Sequence, residues 1–174
     1  DTIPPVLQKG VMTDQNHIVL SFNEDLDVGT LKQSGISIAD SNGNSVFEPM
    51  YLYQPGGKSS ELAVAVKGSA RQGDPLRFSI SGVQDKAGNT SGTLTTEFPA
   101  TDKKDTVPVA ITGIDPSDMN NIRGNSPLFK VRFDDAVDPE LAVKALTVTD
   151  TSGRSIPVRV ARIDDAFYSL QVDK

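Results

Sequence analysis

Ser81-Gly82-Val83-Gln84-Asp85-Lys86-Ala87-Gly88-Asn89 is the stretch on which the reading of this 174-residue chain turns. It begins as extended backbone, and Asp-x-Ala-Gly-Asn then turns the chain. An aspartate bonds nearby backbone N–H groups, while Gly88 and Asn89 tolerate left-handed geometry. Leu94-Thr95-Thr96-Glu97-Phe98 comes next as a strand that closes a unit. The residues before the turn behave as the earlier strands of that unit, and those after the closing strand behave as the start of a second copy.

Upstream, apolar residues come in short alternating runs. Ile18, Leu20 and Phe22 fall on one face of a strand and His17, Val19 and Ser21 on the other. Leu62, Val64 and Val66 alternate in the same way, as do Leu76, Phe78 and Ile80. Between them lie a proline-stiffened entry over residues 1–6, a polar turn at 23–27 and a short helical turn within 28–34. A brief strand at Ile36-Ser37-Ile38 leads into the Asn42-Gly43 hairpin turn, and residues 46–53 return from it. Residues 54–60 form a Gly/Ser loop, and Gly73-Asp74-Pro75 is another turn. About seven strands in roughly a hundred residues is the arithmetic of an immunoglobulin-like sandwich. The antibody disulfide and buried tryptophan are missing, since the chain holds no Cys and no Trp.

The pattern then starts again. Asp105-Thr106-Val107-Pro108 echoes Asp1-Thr2-Ile3-Pro4, and residues 128–138 echo 17–27 position by position. Phe129, Val131 and Phe133 take the places of Ile18, Leu20 and Phe22, Leu146-Thr147-Val148 answers Ile36-Ser37-Ile38, and 150–154 answers 40–44. A longer loop at 115–127 accounts for most of the difference in spacing. Tyr168, Leu170 and Val172 match Leu62, Val64 and Val66, so Lys174 falls near the position of Gly68. An internal repeat of about 105 residues is the main organisational signal. The expected architecture is all-β: tandem immunoglobulin-like β-sandwiches over 1–100 and 101–174, the second lacking its last strands. Such a unit exposes core and strand edges. It reads as a fragment of a longer repeat protein, with completion by a strand from a partner as the alternative.

Composition narrows the function. A net charge of −6 gives nothing to attract a phosphate backbone, so nucleic acid is not an expected partner. With no cysteine and one histidine, disulfides, Cys/His zinc sites, thiol nucleophiles and most catalytic triads fall away. No apolar run approaches a membrane span. The 14 glycines and 11 prolines suit many strands joined by turns. The chain opens on Asp1 with no leader-like stretch, as a mature product or an excised piece would.

The Asp-Thr-x-Pro entry, the Phe-ended strand with its acidic turn, and Val-x-Asp-x-Ala-Gly-Asn together resemble bacterial Ig-like domains of S-layer proteins and large surface adhesins. The resemblance covers nearly all of 1–98 and the first two-thirds of the second unit. It implies a non-catalytic structural or spacer module of an exported bacterial surface protein, secreted or at the cell surface, in an S-layer lattice, stalk or adhesin array. The implied partners are neighbouring domains of the same longer chain or other copies in a surface assembly. The alternative is a binding module, an adhesin or carbohydrate-binding accessory domain.

Candidate sites are few. His17 is expected on the solvent face of its strand, with no nucleophile beside it. The carboxylates Glu24, Asp25 and Asp27, Asp134, Asp135 and Asp138, and Asp164 and Asp165 lie in turns, as solvated loop residues do. Calcium is the strongest functional candidate, since it takes oxygen ligands from flexible loops. If the linker folds back on the base of the first unit, Asp102 and Asp105 approach Asp25, Asp27, Asp85 or Asn89. Residues 40–44 lack the downstream Glu of an EF-hand and read as a hairpin turn. Tyr51 and Tyr53 share a strand face, either as a small sugar-stacking platform or as cross-strand packing.

Overall fold

A computed structural model describes residues 1–116, 127–135, 137–164 and 166–172. The chain is an all-β sandwich protein in two compact units, Asp1–Val107 and Pro108–Lys174. Residues 101–107 belong with the first unit because the backbone N–H of Gln15 donates to the Lys103 carbonyl at 2.8 Å. The Asp102 N–H likewise donates to Gln72 Oε1 at 3.0 Å.

Unit 1 has seven strands: β1 (Leu7–Asp14), β2 (His17–Phe22), β3 (Ile36–Ala39), β4 (Phe47–Tyr53), β5 (Glu61–Gly68), β6 (Pro75–Ile80) and β7 (Leu94–Pro99). They form two antiparallel sheets, β1-β2-β5-β4 and β3-β6-β7. The period-two alternation sets the core between the sheets. Ile18 opposes Val64 and Leu20 opposes Leu62 on one sheet, and Ile38 opposes Phe78 on the other. All six are fully buried, each stabilising the fold by about 1.5–3 kcal/mol relative to exposure. Gly10 sets the approach of β1 to the other layer: a Cβ there would lie 2.6 Å from Thr96 Cγ2 and 3.0 Å from the Phe98 ring. The helical turn expected within 28–34 resolves into two 3-10 turns, Val28–Thr30 and Gln33–Gly35.

Unit 2 contains β8 (Ile111–Asp115), β9 (Leu128–Phe133), helix α1 (Pro139–Ala145), β10 (Val148–Thr149), β11 (Ser155–Ile156), β12 (Val158–Asp164) and β13 (Phe167–Val172). A four-stranded sheet runs β12-β13-β9-β8, beside the pair β10-β11. Several bonds of its frame match bonds of unit 1. The Phe22 N–H donates to the Ser60 carbonyl at 2.9 Å, and the Phe133 N–H to the Ala166 carbonyl at 2.8 Å. The Val6 N–H donates to Asn23 Oδ1, as the Ala110 N–H does to Asp134 Oδ1. The register shift after Leu7 recurs after Ile111, so Ile114 opposite Val131 stands where Gly10 stands opposite Leu20. Asp27 accepts from the Gly29 N–H at the head of a 3-10 turn, and Asp138 accepts from the Glu140 N–H at the head of α1. Proline at the first position of α1 favours the full helix there.

Among the described residues, unit 2 shows no counterpart of β6 or β7. Most of the 115–127 loop, Ala136, Asp165 and Lys174 lie outside the described residues. No helix among those described is long and apolar enough to cross a membrane.

Candidate functional site

The side chains of interest in unit 1 sit at the two ends of β2. At its far end the chain passes through residues 23–27 and pairs with the 81–89 turn: Leu26 bridges Asp85, and the Asp27 N–H donates to the Gln84 carbonyl at 2.8 Å. Asp85 is the pivot. Its Oδ1 accepts from the Asn89 N–H at 2.8 Å and its Oδ2 from Asn89 Nδ2 at 2.7 Å. Burial pushes the Asp85 carboxyl up, but the Asn89 side chain and the backbone N–H groups of Asn89, Ala87 and Gly88 outweigh it and hold its pKa below the ordinary value.

Carboxylate oxygens of Asp1, Glu24 and Asp85 all lie within 4.8 Å of one another. The chemistry suits a hard cation such as Ca2+, which takes six to eight oxygen ligands. Asp25 stands beside this group in an ion pair with Lys86 at 3.3 Å. A hydrogen bond from Ser59 and the bond and charge of Lys86 lower the pKa of Asp25. Asp27 is engaged as the cap of its 3-10 turn.

At the near end of β2, His17 is buried, contrary to its expected place on a solvent face. Its strand face does point away from the sandwich core, but that face is covered. In register, His17 lies opposite Ala65, which lies opposite Tyr51, and Val19 lies opposite Ala63, which lies opposite Tyr53. The two alanines form a low floor over which the larger rings pack. Tyr51 and Tyr53 are tilted with centroids 6.2 Å apart, and His17 meets Tyr53 edge-on at 6.4 Å. Tyr51 is 2% exposed, so the pair forms packing and not an open stacking platform. His17 Nδ1 lies 2.9 Å from Asp14 Oδ1 and 3.9 Å from Asp105 Oδ2. The Thr13 hydroxyl donates to Asp14 and to the His17 carbonyl, not to the imidazole, so it is not arranged as a nucleophile with its base.

The structure therefore divides the calcium candidates. Asp25, Asp27, Asp85 and Asn89 gather at one end, whereas Asp105 joins His17 at the other and Asp102 meets Gln72. The reason is topological: β7 runs from Leu94 opposite Ile80 to Pro99 opposite Pro75, away from the 81–89 turn. The linker thus departs about 20 Å from that turn, the length of a six-residue strand. Asp1 and Asp14 escaped the sequence reading, and Glu24 entered it only as a turn residue. Asp-x-x-His at a hairpin was a local signal for Asp14, while Asp1 and Glu24 lie far from Asp85 in sequence and no local spacing pairs them with it.

No protein-family profile and no curated protein matches this chain. Its fold is similar to solved structures of S-layer protein. The N-terminal part of the bacterial S-layer protein SbsC matches with TM-score 0.53 and 18% identity, over 95% of this chain and 37% of that one. The S-layer protein rSbsC(31-844) matches with TM-score 0.53 and 18% identity, over 95% of this chain and 22% of that one. SbsC domains 1–6 match with TM-score 0.53 and 17% identity, over 95% and 22%. The chain thus spans well under half the length of the proteins it resembles.

Proposed function

We propose that this chain is a non-catalytic structural module of a bacterial surface protein, built as tandem immunoglobulin-like sandwiches that hold distance in an S-layer-type assembly. The observation that carries this reading is the fold likeness to S-layer structures over 95% of the chain. The matching bonds of the two sheet frames support it, because a spacer uses one kind of unit repeatedly. Its partners in this reading are adjoining units of the same polypeptide or further copies in the assembly, at the cell surface or secreted. The test is a glycan microarray combined with a glycosidase and peptidase panel. A spacer gives neither saturable binding nor turnover. A specific glycan ligand would move the chain to the binding-module class, for which the covered tyrosine pair offers no platform.

Calcium belongs to this reading as a stiffening ion, on the convergence of Asp1, Glu24 and Asp85. A calcium-bound unit 1 melts higher in excess calcium than in chelator, by mass action on the folded state. Superimposable melts would remove calcium from the account.

A further inference from the structure

Unit 1 passes from one sheet to the other between β3 and β4, through the turn Asp40-Ser41-Asn42-Gly43-Asn44. The Gly43 N–H donates to the Asp40 carbonyl at 3.0 Å, and the Asp40 N–H to the Asn44 carbonyl at 2.9 Å. Asp40 Oδ1 accepts from the Asn42 and Asn44 N–H groups at 2.9 Å each, and Oδ2 accepts from Asn44 Nδ2 at 3.1 Å. Residues 41–45 are all exposed, and a Cβ added at Gly43 would meet nothing within 4 Å. Of the asparagines in the chain, Asn42 alone precedes a glycine. Asparagine is a thermolabile residue. It is most so before glycine, whose backbone nitrogen reaches the neighbouring side-chain amide with no side chain of its own in the way.

We propose that Asn42 is a site of spontaneous modification, converted by water to aspartate and isoaspartate through a succinimide, and that the Asp40 turn holds this reaction back. A bond forms between Gly43 N and Asn42 Cγ, and the Cγ–Nδ2 bond breaks. Ammonia leaves, taking the Gly43 amide proton. Water then opens the ring: addition at Cγ gives aspartate, and addition at the backbone carbonyl carbon gives isoaspartate, with the chain now running through Cγ.

The restraint acts on the attacking nitrogen. To reach Cγ, Gly43 N must give up its bond to the Asp40 carbonyl, and the tip must rotate against the bonds to the carboxylate. The Asn44 backbone N–H, first among the donors, holds the Asp40 carboxyl below its ordinary pKa, so these bonds are charge-assisted at neutral pH. Either product sets a second carboxylate beside Asp40, and isoaspartate also lengthens the backbone by one carbon. The Ala39–Ser45 bridge behind the turn then loosens. Unit 2 is exempt. Asp150 accepts from the Ser152 and Arg154 N–H groups at 2.9 and 3.0 Å in the same pattern, but Ser152 stands in the place of Asn42 and has no amide to lose.

The test ages the 174-residue chain in heavy-oxygen water at mildly alkaline pH and maps its peptides by chromatography and fragment mass. Residue 42 should take up labelled oxygen and give two products of equal mass, while Asn44 and Asn89 keep their amides. An unchanged Asn42, or amide loss at Asn44 or Asn89 at the same rate, overturns the proposal. Asp40→Ala should raise the rate about tenfold, because hydrogen bonds to a charged group are removed. Asn44→Ala removes only the Nδ2 bond and should raise it less; it decides the point if Asp40→Ala does not fold. Folding of each variant is read from hydrogen exchange in β5. A folded variant that reacts no faster than the unaltered chain overturns the restraining role of Asp40. Asn42→Ser, which copies unit 2, should abolish the labelled pair, and its persistence would place the reaction elsewhere.

Discussion

Asp40, Asp85 and Asp150 each head a turn and fold their own backbone onto the carboxylate. For Asp40 the leading cause of a lowered pKa is the Asn44 backbone N–H, and for Asp150 it is the Ser152 side chain. Gly43 and Gly153 both adopt φ 83° to complete these two turns, a conformation that disfavours any side chain. With Asp25, four carboxyls thus titrate below their ordinary value of 3.8 in the folded chain. The unfolded chain binds protons first, so their stabilisation is present above about pH 4 and is lost as pH falls through the folded values. Urea midpoints should therefore stay flat from pH 7 to about 5 and drop below 4. Asp85→Asn should lower the melting temperature of unit 1 by about 5–10 °C, since an amide would set its own N–H groups against Asn89. It should also reduce the acid slope. The Asp85–Asn89 turn was legible in the sequence because its bonds span four residues. Burial of His17 was not, since alternation assigns a face but cannot tell what covers it.

At the scale of elements, spacing was the most informative signal. Alternation placed seven strands in unit 1, and echoes along the chain placed counterparts of β2, β3 and β5 in unit 2. What it missed were contacts between layers. Gly10 gives no local sign that β7 lies against it, and only the pairing register reveals Ile114 as its counterpart. Gly10→Val should destabilise unit 1 by about 1–3 kcal/mol through overpacking, read as a lower urea midpoint with unchanged slope. The capping aspartates carry a second expectation. Asp138 accepts from the Glu140 and Leu141 N–H groups at 2.8 and 3.3 Å, so Asp138→Ala should cost about 1 kcal/mol. Exchange in the first turn of α1 should speed up, with little effect on unit 1.

For the whole molecule, the central point is a sandwich frame that is complete in unit 1 and, among the described residues, shows no counterpart of β6 or β7 in unit 2. The likeness of the two frames was readable because Phe129, Val131 and Phe133 alternate as Ile18, Leu20 and Phe22 do. The linker's course was not, because the direction of β7 sends Asp102 and Asp105 away from the turn they were expected to join. Residues 1–107 alone should melt as that unit melts within the full chain, since its core cluster draws on its own residues.

The most direct measurement is force extension of the single 174-residue chain. Two events are expected: an early one at low force from unit 2, then one at higher force releasing about 350 Å as unit 1 extends at ~3.3–3.6 Å per residue. One event releasing the whole chain, or a unit 1 that yields as easily as unit 2, would contradict a force-resisting module with a self-sufficient first sandwich.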